Sequence, residues 1–76
     1  MEKIAERIKI LRIEAGLSTR QIGEAIGVSH STVSRWENCK RIPDALNIKA
    51  LAKLFNVSAD YILDLDLVNI FYLLKL

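Results

Sequence analysis

Glycine, proline and cysteine together supply five of the 76 residues: three Gly, one Pro and one Cys. The single cysteine, Cys39, excludes an internal disulfide, and with His30 the one histidine no zinc-type ligand cluster can be assembled within one chain. Such cysteine usage suits a reducing cytoplasm, and no metal or other cofactor is expected. Gly and Pro are absent after Pro43, and no repeat or low-complexity run occurs, so no linker to a second large domain is expected. No basic segment followed by an apolar one opens the chain, and the apolar stretch near residue 76 is interrupted by Asp64, Asp66, Asn69 and Lys75. It is too short to span a bilayer, so a soluble protein with no membrane partner is expected. Ser, His and Asp are present, but His30 and Ser31 would share one short helix and no glycine-rich anion loop accompanies them, which excludes a hydrolase and points away from any enzyme. No small-molecule site is evident either.

Charge is scarce in net terms, +2, but unevenly laid out. Residues 1–43 hold eight Lys/Arg against five Glu, and residues 44–76 hold three against four Asp, so an anionic partner should meet the first half.

Hydrophobic spacing and capping residues predict five short helices. Ile4, Ile8, Leu11 and Ala15 step by four, three and four, and Gly16 stands where a left-handed helix end belongs. Ser18-Thr19-Arg20-Gln21 reads as a capping box for a second helix with Ile22, Ala25 and Ile26 on its apolar face. Gly27 permits a sharp reversal, Val28 is expected as a buried plug, and Ser29 caps a third helix whose inner side is Val33 and Trp36. After Pro43, Asp44 caps a fourth helix in which Leu46, Ile48, Leu51, Ala52, Leu54 and Phe55 are too many for an exposed surface. Asn56 can close it in the left-handed conformation, and Ser58 caps a fifth carrying Tyr61, Ile62 and Leu65.

The segment "SHSTVSRWEN", residues 29–38, is bare for so apolar a chain: small hydroxyls recur and no carboxylate appears before Glu37. Two short helices joined by a Gly-containing turn can cross steeply, holding the second one clear of the body for a DNA major groove. Its outer residues must then be short or planar hydrogen-bonding groups, and acids would repel phosphate. His30, Ser31, Ser34 and Arg35 meet that requirement and are the expected base-reading residues, with Val33 and the indole of Trp36 fixing the helix from inside.

With those residues in view, "LSTRQIGEAIGVSHSTVSRWENCKRIP", preceded by "IKILRIEAG" and followed by "LAKLFNVSADYIL", resembles the phage Cro and lambdoid repressor helix-turn-helix family, also called XRE-like, over roughly residues 4–63. The resemblance implies a compact all-α, five-helix lambda-repressor-like domain. It also implies an ion pair between Arg12 and Glu37, base reading by His30, Ser31, Ser34 and Arg35, and phosphate contacts from Thr19, Ser29, Asn38, Lys40 and Arg41. Departures stand out at five positions. Thr19 takes the place of the family's usual Gln, and Gly23 that of Ala, which loosens helix two by about 1 kcal/mol on propensity. Cys39 replaces the Gly that closes helix three and is expected at positive φ under modest strain. Ile10 and Ile13 stand where the family is polar, and a second contact surface is expected there.

Beyond Leu65 the sequence is too apolar for one small body to bury. The domain is therefore read as residues 1–65, with residues 66–76 a hydrophobic extension, a short helix rather than a strand. Leu67, Ile70, Phe71 and Leu74 share one helical face and are the expected dimer interface; folding back on the chain's own core is the other way to bury the segment. The expected function is a cytoplasmic, sequence-specific transcription regulator, a repressor rather than an activator, binding a pseudo-palindromic double-stranded DNA operator as a homodimer. Its rival is a protein-interaction module, an antirepressor or antitoxin on the same scaffold, capturing another regulator through the apolar tail.

Overall fold

Five helices follow one another among residues 2–64, the part of the chain that the computed structural model describes: α1 (Glu2–Glu14), α2 (Thr19–Ile26), α3 (His30–Glu37), α4 (Ala45–Phe55) and α5 (Ala59–Leu63). The expected all-α architecture is present, with no strand among the described residues. Residues 65–76 lie outside the described residues, and with them Leu65, expected on the fifth helix, Leu67, Ile70, Phe71 and Leu74, and the expected domain boundary after residue 65.

The starts of α2, α3, α4 and α5 are each set by an oxygen-bearing side chain. The Ser18 hydroxyl accepts from the Gln21 amide at 3.1 Å while the Ser18 amide donates to Gln21 Oε1 at 2.8 Å, completing the capping box. Ser29 and Ser58 accept from the amides of Thr32 and Tyr61, both at 3.1 Å, and Asp44 Oδ1 from that of Asn47 at 2.8 Å. Such caps are each worth about 1 kcal/mol, which matters in helices too short to hold alone.

Helix ends repeat one device. Gly16, Gly27, Cys39, Asn56 and Asp64 all stand at positive φ. After α1, α2, α3 and α4 the residue next in sequence donates back five positions: Leu17 to the Arg12 carbonyl, Val28 to Gly23, Lys40 to Arg35 and Val57 to Ala52, at 2.8–3.1 Å. A chain with three glycines thus closes helices with Cys, Asn and Asp. Asn and Asp tolerate the left-handed region, whereas Cys39, at φ 59°, has no such excuse. Cys39→Gly should therefore raise stability by about 1 kcal/mol, lifting the melting temperature by several degrees in a thermal melt. An unchanged or lower melting temperature would show that packing of the half-buried thiol outweighs the backbone strain.

The core is Ile8, Ile22, Val33, Trp36, Ile48, Leu51 and Ile62, drawn from all five helices, with Ile4, Leu11, Ile26 and Phe55 among the partly buried residues packed on it. Helix α2 packs on α3 and α4, α1 on α3 and α5, and α4 on α5. The third glycine, Gly23, is buried and serves the crossing instead of a cap: a Cβ there would collide with the Val28 carbonyl oxygen and lie 3.2 Å from the Ser29 carbonyl carbon. The propensity lost in α2 is the condition for the close approach of the turn before α3.

Several side chains depart from the expected pattern. Leu46, assigned to the core by the apolar density of its helix, is 77 % exposed; at 3.6 residues per turn it points roughly 160° away from Ile48. Ala15 lies past the end of α1 and is exposed, Ala25 is exposed, and Val28 is half-buried. Tyr61 is also exposed, its ring serving a different partner. The Arg7 guanidinium lies 4.5 Å from the Tyr61 ring centroid, Nη1 donates to the Tyr61 carbonyl at 2.8 Å, and Nη2 pairs with Asp64 Oδ1 at 2.7 Å. One arginine of α1 thereby brackets α5.

Candidate nucleic-acid interface

Helix α3 has two sides of opposite character. Val33 and Trp36 are buried, while His30, Ser31 and Arg35 are exposed. Ser34 is half-buried, its carbonyl and hydroxyl both within reach of the Asn38 side-chain nitrogen, at 2.9 and 3.2 Å. Asn38 thus reinforces the end of α3 through its side-chain nitrogen. The Ser29 hydroxyl is likewise engaged, as cap to Thr32 and 2.9 Å from the Thr32 hydroxyl. Thr19 is half-buried at the first position of α2, and Lys40 and Arg41 project into solvent from the loop after α3.

The inner anchor of α3 is electrostatic as well as apolar. Arg12 of α1 forms a forked pair with Glu37, Nε to Oε2 at 2.7 Å and Nη2 to Oε1 at 3.0 Å, while Nη1 donates to the Leu17 carbonyl at 3.0 Å. Side-chain exposure is 18 % for Arg12 and 7 % for Glu37, so both charges are held largely away from water. Hydrogen bonds donated to Glu37 raise the Arg12 pKa above its ordinary value; desolvation opposes the shift, and the carboxylate's charge adds to it. Three of the guanidinium's donor atoms are used, which fixes the C-terminal end of α3 against α1 and the turn before α2.

Neither α2 nor α3 carries an acidic residue in its first turn. Their positive N-terminal ends, with unpaired amides, are therefore uncompensated by carboxylates of their own. Arg20, exposed in the first turn of α2, is not among the positions that the sequence singles out. The signal was present: a cation opposes the dipole in a helix's first turn, and an external anion would relieve it. With Arg35, Lys40 and Arg41 it makes four exposed cations on α2, α3 and the loop that follows, on a body whose remaining charges are mixed.

Comparison with known proteins gives a consistent picture. A family model described as helix-turn-helix (HTH_3) matches residues 8–62. The chain is 34 % identical over 71 residues to the repressor protein C2 of Salmonella phage P22, covering 91 % of this chain and 33 % of that protein. It is 32 % identical over 66 residues to the transcriptional regulator ImmR of Bacillus subtilis, covering 87 % and 52 %. It thus spans about a third to a half of the length of these relatives. Among solved structures, the P22 c2 repressor in complex with a synthetic operator superposes with a TM-score of 0.76 at 31 % identity, covering 82 % of this chain and 94 % of that one.

Proposed function

The chain belongs to the helix-turn-helix family HTH_3, and from that premise we propose that it is a sequence-specific DNA-binding transcription regulator, a cytoplasmic repressor of phage or mobile-element type. In this reading α3 enters the major groove of a pseudo-palindromic operator, and two copies read two half-sites. His30, Ser31, Ser34 and Arg35 contact bases; Thr19, Ser29, Asn38, Lys40 and Arg41, joined by Arg20, contact phosphates. No chemistry is assigned to the protein beyond binding.

The observation that carries the reading is the division of α3: an outer side of short polar groups and one guanidinium, with no exposed acid, on a helix capped by Ser29 at one end and locked through Glu37 to Arg12 at the other. A helix fixed at both ends can present side chains in one register, which reading a base edge demands. The P22 c2 repressor's complex with operator DNA supports this use of the same fold. Dimerisation would come from Leu67, Ile70, Phe71 and Leu74.

The test is a comparison of two alanine variants on operator and random DNA, once a selection from random sequences has supplied the operator. Arg35→Ala should weaken operator binding by about 1–3 kcal/mol and relax preference at one base pair per half-site. Lys40→Ala should weaken all sequences alike and reduce the salt slope by about one unit, since a phosphate contact releases counterions without reading a base. Equal losses on operator and random DNA for Arg35→Ala would remove its assigned role. An intact chain with no salt-dependent DNA affinity would favour the rival, a module that captures another regulator.

A further inference from the structure

Asn38, which ends α3, controls how the Ser34 hydroxyl can bond outward. The Asn38 side-chain nitrogen lies 2.9 Å from the Ser34 carbonyl oxygen and 3.2 Å from the Ser34 hydroxyl oxygen. A carbonyl oxygen can only accept, so the group beside it must be the NH₂ of Asn38, which fixes the orientation of that amide. The amide nitrogen has hydrogens to give and no lone pair to offer. The Ser34 hydroxyl therefore accepts from Asn38 and cannot send its own hydrogen back. Serines within helices often pass that hydrogen to the carbonyl four residues earlier. Here that bond is not made, and among the described residues no acceptor takes the Ser34 hydrogen.

We infer that Asn38 is a positioning residue for base recognition: by donating to the Ser34 hydroxyl it leaves that group a donor toward DNA, so that Ser34 selects a base edge carrying an acceptor. The inference rests on the reading of α3 as the helix in the major groove, and adds to it the chemical class of base required at one position. In the major groove guanine offers O6 and N7, adenine N7 and thymine O4, whereas cytosine offers only its N4 amino hydrogens. An unconstrained serine reads several bases, since rotation lets its hydroxyl either give or accept. With Asn38 on one lone pair, the hydroxyl can still accept on the other, but doing so leaves its hydrogen unpaired in a dehydrated groove. An unpaired donor costs more than the bond gained, so cytosine should be disfavoured on the strand that Ser34 faces.

This role is separable from the phosphate contact proposed for Asn38. Loss of a phosphate contact lowers affinity for all sequences alike, whereas a change in the polarity of Ser34 alters preference at one base pair. Both residues stand outside the buried core cluster, and Asn38 is exposed, so substitutions there leave the packing of the five helices in place.

Selection of bound sites from random DNA, run in parallel on the full parent chain and its variants, tests this. Ser34→Ala should relax preference at one base pair per half-site and so identify the position; there the parent should disfavour cytosine by about threefold to tenfold. Asn38→Ala frees the hydroxyl to rotate and should relax the same position. Asn38→Asp puts a carboxylate where the donor was. The hydroxyl hydrogen then turns inward, its lone pairs face the groove, and preference should move toward cytosine or adenine, whose amino groups donate. The carboxylate also repels phosphate, but that loss is common to all sequences, and preference is the quantity read. With Ser34→Ala already in place, Asn38→Ala should change no base preference. Circular dichroism at the assay temperature checks folding, and Asn38→Asp carries the comparison should Asn38→Ala unfold. Unchanged preference at the Ser34 position in the Asn38 variants overturns the inference, as does a parent that prefers cytosine there. A shift from Asn38→Ala in the Ser34→Ala background overturns it too, since Asn38 would then read the base itself. If Ser34→Ala relaxes no position, the inference fails while the operator reading stands. If the parent selects no sequence at all, the operator reading fails and the inference with it.

Discussion

Ending the chain after Asp66 is expected to lower operator affinity by about a hundredfold or more while the five helices remain folded. The buried core cluster among the described residues runs from Ile8 to Ile62, so the shortened chain keeps all of it. What it loses in the proposed reading is the surface that joins two copies. Two recognition helices held about 34 Å apart engage adjacent half-sites as one event, and the second contact then gains by effective concentration, typically by a factor of about 10² to 10⁴. Without the tail each half-site must be bound separately, so occupancy should become steeply dependent on protein concentration, while non-specific, salt-sensitive binding persists. Aspartate at Ile70 or Phe71 should act like the truncation, since a carboxylate buried against its symmetry mate has no partner. Sedimentation of intact and shortened chains at equal concentration checks the cause. If both run as the same dimer, another surface joins the copies, and Ile10 and Ile13, 39 % and 58 % exposed on α1, are the next to substitute.

Glu37→Ala should produce the largest loss of stability of any single surface-reachable carboxylate. The substitution strands a guanidinium that is only 18 % exposed and was held by two bonds to that one carboxylate. Removing one partner of a largely desolvated pair costs about 3 kcal/mol, equivalent to a fall of roughly 10–20 °C in the melting temperature of a domain this size. Lys40→Ala, at an exposed loop position, should stay within about 0.5 kcal/mol of the parent. Operator binding should fall with Glu37→Ala even below its melting range, because the end of α3 is no longer tied to α1. Equal melting temperatures for the two variants would make Glu37 a solvated residue.

The parts legible in the sequence were those encoded locally. Ser18, Ser29, Asp44 and Ser58 announce four of the five helices because a cap is a short-range bond between a side chain and an amide three residues on. Cys39 was readable as strained because its place in the helix-ending pattern was clear even with the wrong residue in it. Leu46 was misread because a count of apolar residues carries no phase, and the phase of α4 is decided by what α2 and α5 leave open. The Arg12–Glu37 pair joins residues 25 apart, and only the family resemblance brought them together. Nothing in the sequence announced the contact of Arg7 with Tyr61 and Asp64, since it is a product of how α1 and α5 are assembled.

The Arg7 bracket also bears on the order in which the domain forms. Helices α2 and α3 meet across a turn of three residues, so their contact closes a very short loop and can appear in the first microseconds of folding. Arg7 and Tyr61 are 54 positions apart, and joining them requires nearly the whole domain to have been gathered in. During synthesis at about 5–20 residues per second, α2 and α3 leave the ribosome seconds before α5 can be clasped. For that interval the nascent chain holds a helix-turn-helix without its closing latch.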